Sequence, residues 1–73
     1  MRTVDLRGRR SPYPIIEIAK IMKKAKPGET VTFLINDKDS VDDIYGWVKR
    51  TGNLLRQIVR KGDYWNVLIT KRT

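Results

Sequence analysis

Ser11 is the residue of greatest chemical interest in this chain, because it opens the motif Ser11-Pro12-Tyr13-Pro14. Pro12 is predicted at the first position of a helix, where a missing backbone N–H costs nothing. Pro14 then falls within the first helical turn, whose amides have no intrahelical acceptor. The Ser11 hydroxyl is therefore predicted to be the N-cap. A hydrolase or transferase that uses Ser11 as nucleophile is disfavoured, because a hydroxyl needs a neighbouring base and the chain has no histidine.

Basic residues surround this motif. Arg7, Arg9 and Arg10 precede it, and Lys20 follows in the predicted helix. These four residues are candidates for binding an anion or a partner protein, since guanidinium groups and the free amides of a helix start both attract negative charge. A solvated basic turn is the simpler interpretation of the arginines, and we favour it. Lys20 lies about two helical turns beyond Ser11, which makes it a poor candidate for the base.

Aromatic residues lie among the basic ones and are candidate stacking platforms for single-stranded nucleic acid: Tyr13, Tyr45, Trp47, Tyr64 and Trp65. Core packing is the better interpretation for Trp47, which shares the apolar face of a predicted helix. Alternation along a strand sends Tyr64 and Trp65 to opposite faces, so one of these two is also predicted to point inward.

Composition limits the classes of protein to be considered. The 73 residues predict a single domain over residues 1–73. Sixteen Lys and Arg against eight Asp and Glu give a net charge of +8, which suits either a solvated surface or a polyanionic partner. The chain has no cysteine and no histidine, which excludes disulfides and disfavours a structural zinc site. No metal and no cofactor are predicted, and four aspartates are assigned to helix starts instead: Asp37, Asp39, Asp42 and Asp43.

The first residues of the chain lack the apolar core of a signal peptide. No apolar run approaches the roughly 20 residues that span a membrane. We therefore predict a cytoplasmic protein with no membrane segment.

The order of predicted elements is β-α-β-α-β-β. Strands are predicted over residues 2–6, 30–35, 54–60 and 64–70, with a hairpin turn over residues 61–63. One helix is predicted to run from Ser11-Pro12 to Pro27-Gly28, and a second from Asp39 or Ser40 to about Arg50. This order predicts an α+β two-layer sandwich, in which two helices cover one face of a four-stranded mixed sheet. The start of the first helix is then exposed at the edge of the sheet layer.

The chain resembles the TusA (SirA-like, YeeD/YedF) family of sulfur carriers. The family opens on a pattern similar to Asp-Leu-Arg-Gly-Leu-x-Cys-Pro-x-Pro, which stands here as residues 5–14 with Ser11 at the cysteine position. Arg9 replaces an apolar residue of that pattern, and Lys38 and Tyr45 stand where many members have proline. Further matches are spread along the chain: Lys20, Pro27-Gly28-Glu29, Asp37, Asp43-Ile44, Trp47 and Gly52.

The resemblance implies a sulfur relay, of which this chain is expected to keep the partner binding but not the sulfur transfer. Members accept a sulfane sulfur on the cysteine from a cysteine desulfurase and pass it on, toward tRNA thiolation or other pathways. Serine cannot form a persulfide, so sulfurtransferase activity is not expected here. The leading hypothesis is a sulfur-relay domain, either a cysteine-less paralogue or a cysteine-to-serine variant, that binds a desulfurase or a downstream acceptor. The alternative is a small basic module that binds RNA or DNA, and the oligomeric state is not predicted.

Overall fold

Alternating apolar residues build the sheet of this protein, and apolar residues at helical spacing build its two helices. The computed structural model describes residues 2–72, so the predicted domain ends at residues 1 and 73 lie outside the described residues. The elements follow in the order β1 (Arg2–Asp5), α1 (Tyr13–Lys24), β2 (Thr30–Ile35), α2 (Lys38–Thr51), β3 (Leu54–Lys61) and β4 (Tyr64–Thr70). The predicted order and the α+β class are confirmed.

The sheet has the strand order β1-β2-β4-β3. β1 lies parallel to β2, while β4 is antiparallel to both β2 and β3. The predicted four-stranded mixed sheet is therefore confirmed. Since β1 and β2 are parallel neighbours, the loops that follow them leave the sheet at the same edge.

One face of the sheet packs against both helices and forms the core. Val31, Phe33 and Ile35 on β2 are fully buried together with Val67 and Ile69 on β4. The helices contribute fully or almost fully buried apolar side chains to the same core: Ile18 and Met22 from α1, and Val41, Ile44 and Trp47 from α2. Trp47 is only 8% exposed, in agreement with the core position predicted for it.

Both helices begin at residues other than those predicted. The N-cap of α1 is Pro12, with no capping side chain, because the helix begins at Tyr13, one residue later than predicted. Pro14 lies in the first turn as predicted, and it is buried. The N-cap of α2 is Asp37 rather than Asp39 or Ser40, because the Asp37 carboxylate accepts the amide of Ser40. The predicted cap of α1 was wrong by one residue and that of α2 by two or three. At α2 the error arises because Asp37, Asp39 and Ser40 have similar capping propensity.

Two glycines with positive φ allow the chain to leave its elements. Gly52, with φ +75°, ends α2 in the left-handed conformation. Gly62, with φ +65°, occupies the first position of a two-residue hairpin, as a type II′ turn requires. The turn is one residue shorter than predicted, because Lys61 still pairs with Tyr64 across the hairpin.

Lys71 stabilises the end of α1 from the far end of the chain. Its Nζ donates to the carbonyl oxygens of Met22 at 2.7 Å and Lys23 at 3.1 Å, where a helix carries partial negative charge. We expect Lys71→Met to lower the free energy of unfolding by about 1 kcal/mol, because the methionine keeps the apolar stem but cannot donate. Urea denaturation measures the change. Arg72→Met is the matched control, because it removes one exposed positive charge from the adjacent residue. An equal loss of unfolding free energy in both variants would contradict the role of Lys71.

Candidate functional site

A cavity of about 580 Å³ opens where the β1–α1 and β2–α2 loops meet. This is the edge of the sheet at which the parallel strands β1 and β2 both end, a common place for binding sites in sheets of this kind. The lining comes from both loops: Gly8, Arg9, Arg10 and Ser11 on one side, and Asn36, Asp37 and Asp39 on the other.

Ser11 ties the two loops together. Its backbone amide donates to Asp37 Oδ2 at 2.9 Å, and its hydroxyl donates to Asp43 Oδ2 at 2.9 Å. Both donors of Ser11 are therefore directed at carboxylates of the α2 region. A third bond between the loops runs from the Gly8 amide to Asn36 Oδ1 at 2.8 Å.

Asp37 is the centre of this arrangement. Besides the Ser11 amide, its Oδ2 accepts the Ser40 amide at 3.1 Å and the Ser40 hydroxyl at 2.7 Å. The Ser40 hydroxyl, and next the Ser11 amide, hold the pKa of Asp37 below its usual value, with a smaller contribution from Arg10. Ser40 itself is fully buried, so Asp37 is the partner on which the polar groups of Ser40 depend.

Arg7 is drawn away from the cavity by its own neighbours. Its guanidinium donates through Nε to Asp5 Oδ1 at 3.0 Å and through Nη2 to Asp5 Oδ2 at 2.9 Å. It also lies 4.9 Å from the centroid of the Tyr64 ring. The Arg7 side chain lowers the pKa of Asp5 to about 2. Arg7 does not line the cavity beside Ser11, and its charge is already matched by a carboxylate.

Arg9 and Arg10 are the basic residues that reach the cavity. Together with Arg7, Gly8 and Tyr13 they also line a shallower depression of about 470 Å³ beside it. Tyr13 is 61% exposed, and Ile16, one helical turn further along α1, is 42% exposed. Exposed basic and apolar groups therefore lie side by side at the Ser11 end of α1.

Lys20 is not part of this arrangement. It lines neither cavity, and its Nζ lies 3.7 Å from Glu17 Oε1 on the same helix. Of the predicted site residues, the structure brings together Ser11, Arg9 and Arg10. It places Arg7 beside them and leaves Lys20 further along α1.

Sequence reasoning did not assign four residues of this site to it: Asn36, Asp37, Asp39 and Asp43. Asp43 lies 32 positions from Ser11 along the chain, so spacing gives no signal for their contact. The one available signal is that Asp37 and Asp43 both fall on matches to the sulfur carrier pattern. Such matches outside the apolar core favour a site over a packing role.

Within residues 2–72, no group of three or more His, Cys, Asp or Glu side chains is arranged to hold a metal ion. Neither described helix combines the length and the hydropathy needed to cross a bilayer. Two of the five aromatic residues considered for stacking on nucleic-acid bases are not free to do so. Trp47 is buried, and Trp65 packs against the core with Arg60 over its ring.

Comparisons with known proteins agree on one family. The profile of the family described as sulfurtransferase TusA matches residues 2–71. A candidate sulfur carrier protein of Archaeoglobus fulgidus is 38% identical over 71 residues, which are 97% of each chain. Two longer candidate sulfur carriers, one from Aquifex aeolicus and YrkF from Bacillus subtilis, are 30% and 35% identical over 82% and 81% of this chain. This chain spans only 30% and 37% of their lengths.

Two solved structures share the fold over the whole of both chains. The crystal structure of a SirA-like protein from Desulfitobacterium hafniense superposes with a TM-score of 0.83 at 21% identity. The solution structure of a Helicobacter pylori protein superposes with a TM-score of 0.74 at 20% identity. These two likenesses concern the fold alone. The profile match over residues 2–71 and the A. fulgidus relative place this chain in the TusA family of sulfurtransferases.

Proposed function

We propose that this protein is a docking member of a cytoplasmic sulfur relay, which binds a relay partner at the Ser11 end without carrying sulfur itself. The observation that carries the proposal is the bond from the Ser11 hydroxyl to Asp43 at 2.9 Å, at the position where the family pattern has its cysteine. A hydroxyl forms no persulfide. In this chain the residue instead connects the β1–α1 loop to Asp37 and to helix α2.

The alternative of a serine nucleophile is weakened by the same contact. The group that accepts the Ser11 proton is a carboxylate, which is a weaker base than the imidazole of common serine enzymes. The Ser11 amide is bound to Asp37, so it is not free to stabilise an oxyanion. We therefore assign Ser11 no catalytic step.

The docking surface consists of Arg9, Arg10, Tyr13 and Ile16. All four are exposed, and the two arginines make no salt bridge within residues 2–72. Aromatic and arginine side chains are enriched among the residues that dominate protein interfaces. A partner with an acidic rim around an apolar patch fits this surface, and we propose a cysteine desulfurase or a downstream acceptor. The identity of the bound partner would determine which sulfur pathway the protein serves, for example tRNA thiolation.

Restoring a thiol tests the carrier site directly. We expect Ser11→Cys, incubated with a cysteine desulfurase and ³⁵S-labelled cysteine, to take up label that dithiothreitol releases, whereas the wild type takes up none. Gln57→Cys introduces a matched thiol on the exposed outer strand β3 and is expected to take up much less label. Equal labelling of the two variants, or no labelling of Ser11→Cys, would contradict the assignment of this site.

Competition tests docking without transfer. Excess wild-type protein is expected to slow the labelling of Ser11→Cys, because both bind the desulfurase through the same surface. The double variant Arg9→Glu/Arg10→Glu is expected to lose this inhibition, since it reverses two charges of the docking surface. Inhibition that survives the charge reversal would place the docking surface elsewhere.

A further inference from the structure

The end of the molecule opposite Ser11 is formed by four strand ends and two helix ends. β2 begins there beside β1, with Thr30 paired to Thr70 at the end of β4. β3 begins there too, with Leu54 also paired to Thr70. The last turn of α1 lies at the same end, because Lys71, which follows β4, donates to its carbonyl groups. α2 ends just before β3 begins. This end, with the half of each element that leads to it, is termed the far end.

Almost all of the net charge lies at the far end. This half of the molecule holds ten Lys and Arg against one acidic residue, Glu29, a balance of +9. The half around Ser11 holds six Lys and Arg against seven Asp and Glu, a balance of −1, and the two halves give the +8 of the chain. Five of the ten basic residues lie in the second halves of the helices: Lys20, Lys23, Lys24, Lys49 and Arg50. The other five lie on strands and in loops, and all ten except Lys71 are exposed: Arg2, Lys26, Arg56, Lys71 and Arg72.

The helix dipoles balance only a small part of this charge. A helix C-terminus carries about half a negative charge, so α1 and α2 together offset about one of the ten cations. Lys71 already supplies that cation at α1, where its Nζ lies 2.7 Å from the Met22 carbonyl oxygen. The other basic residues of the far end need a different explanation.

Carboxylates do not balance the charge either. Within residues 2–72, the one salt bridge that reaches the far end joins Lys20 to Glu17 at 3.7 Å. At the Ser11 end, in contrast, Arg7 lies 2.9 Å from the carboxylate of Asp5. Like charges without such partners repel one another and destabilise the compact state. Their concentration at one end of a small domain is typical of a surface that binds an extended anion.

The far end lacks the apolar groups that several kinds of anionic partner require. Of the large apolar side chains exposed within residues 2–72, only Leu54 lies there, at 36% exposure. Protein interfaces are depleted in Lys and centre on aromatic anchors. The bases of a single strand stack on aromatic rings, and membrane-surface helices insert apolar side chains. The backbone of a nucleic-acid duplex needs no such group, because Lys and Arg neutralise its phosphates.

We infer that the far end binds the phosphate backbone of a nucleic-acid duplex without reading its bases. The four strands span three spacings of about 4.8 Å, roughly 14 Å in all. A duplex carries one negative charge per about 1.7 Å of its length, so about eight phosphates lie along this width. That number is close to the number of exposed basic residues. The Ser11 end lies about 18 Å away along the 12 residues of α1, so the inference goes beyond the proposed function and does not depend on it.

Fluorescence anisotropy of a labelled DNA duplex of about 20 base pairs, titrated with the full chain, tests the inference. Backbone contacts alone are expected to give a Kd of about 1–100 µM at about 150 mM NaCl. Because a duplex meets one side of the far end, we expect about five phosphate contacts and a slope of log K against log salt of about −4.5. Doubling the salt then weakens binding about 20-fold, and duplexes of different sequence bind equally. No binding at about 50 mM NaCl, or binding that salt does not weaken, would overturn the inference.

Neutral substitutions test where the duplex binds. The triple variant Lys26→Gln/Arg56→Gln/Arg72→Gln changes no helical residue. It is expected to weaken binding by at least about tenfold and to reduce the salt slope toward about −2, since up to three contacts are lost. Lys23→Gln/Lys49→Gln removes two cations from the helix ends and is expected to weaken binding in the same direction. The second variant keeps the test valid if the first does not fold.

A control variant carries the same change in net charge at the other end. Lys38→Gln/Arg60→Gln/Lys61→Gln removes three exposed positive charges from the half around Ser11. We expect it to bind the duplex within about threefold of the wild type, because long-range charge alone contributes little at about 150 mM NaCl. Amide NMR spectra establish that each variant is folded. Equal weakening in this control and in the triple variant of the far end would mean that net charge, and not the far end, governs binding, and the inference would be wrong.

Two other ligands distinguish the duplex from other polyanions. A single strand of the same length is expected to bind more weakly, because its charge density is lower and the far end offers no aromatic ring. Vesicles with about 30% phosphatidylserine, compared at equal concentration of negative charge, are also expected to bind more weakly, since only Leu54 could insert. Tighter binding to the single strand or to the vesicles than to the duplex would assign the far end to that partner instead.

Discussion

Replacing Asp37 with alanine is expected to lower the free energy of unfolding by about 2–3 kcal/mol. The carboxylate caps α2 and also accepts the Ser11 amide and the Ser40 hydroxyl. Loss of an N-cap alone costs about 1 kcal/mol. The further cost arises because Ser40 is fully buried, and a buried donor that loses its acceptor is expensive. For a domain of this size, such a loss removes a large part of the total stability.

Urea denaturation of the two proteins measures this change. Asp39→Ala is the matched control, because Asp39 has the same charge, lies in the first turn of α2 and is exposed. We expect the control to lose at most about 0.5 kcal/mol, the scale of an exposed charge near a helix start. Losses of similar size in both variants would mean that charge at the helix start, and not the bonds of Asp37, stabilises this region.

The contribution of Asp37 to the free energy of unfolding depends on pH, and the direction follows from its lowered pKa. The pKa of Asp37 is lower in the folded protein than its usual value, so the unfolded chain binds the proton at higher pH. The contribution is fully present above the unfolded pKa of about 3.9. It is lost as the pH falls through the folded pKa. The stability difference between wild type and Asp37→Ala should therefore be constant near neutral pH and shrink below about pH 4.

The fold could be predicted because its signals are local. The alternation of Val31, Phe33 and Ile35 defines a strand, and the helical spacing of Ile44 and Trp47 defines a buried helix face. Both patterns are read over a few residues. The order of the strands in the sheet was not predicted, because pairing depends on contacts between distant segments.

The site was predicted only in part, because its bonds span the chain. The position of Ser11 at a helix start was recognised from Pro12 and Pro14. Its partners Asp37 and Asp43 lie 26 and 32 residues away, and no spacing rule connects them. Competition between Asp37, Asp39 and Ser40 for one cap could be settled only by the geometry of the loop. Asp37, Asp39 and Ser40 have similar capping propensity, and their tertiary contacts determine that Asp37 is the cap.

A thiol at position 11 is expected to react faster when Asp43 is neutral. We predict that Asp43→Asn lowers the pKa of the thiol introduced by Ser11→Cys by about one to two pH units, because a carboxylate within hydrogen-bond reach disfavours a thiolate. Ser11 precedes the Pro12 N-cap, so the α1 dipole acts on this position from further away than it would on a cap residue. The Asp43 carboxylate, in contrast, lies 2.9 Å from the Ser11 hydroxyl oxygen and is the nearer influence.

Alkylation by iodoacetamide at pH 7 measures the effect. At a pH below the thiol pKa, the thiolate fraction rises about tenfold for each unit by which the pKa falls. A thiolate of lower pKa is also a weaker nucleophile, so the alkylation rate rises by less than tenfold per unit. The double variant Ser11→Cys/Asp43→Asn should therefore react about three- to tenfold faster than Ser11→Cys alone. Ser11→Cys/Asp42→Asn is the matched control, because it removes the same charge from a side chain already paired with Lys38 at 3.0 Å. A rate equal to that of this control would show that Asp43 does not govern the reactivity of position 11. A faster rate would mean that the contact which makes Ser11 a good structural tie would also restrain a cysteine at the same position.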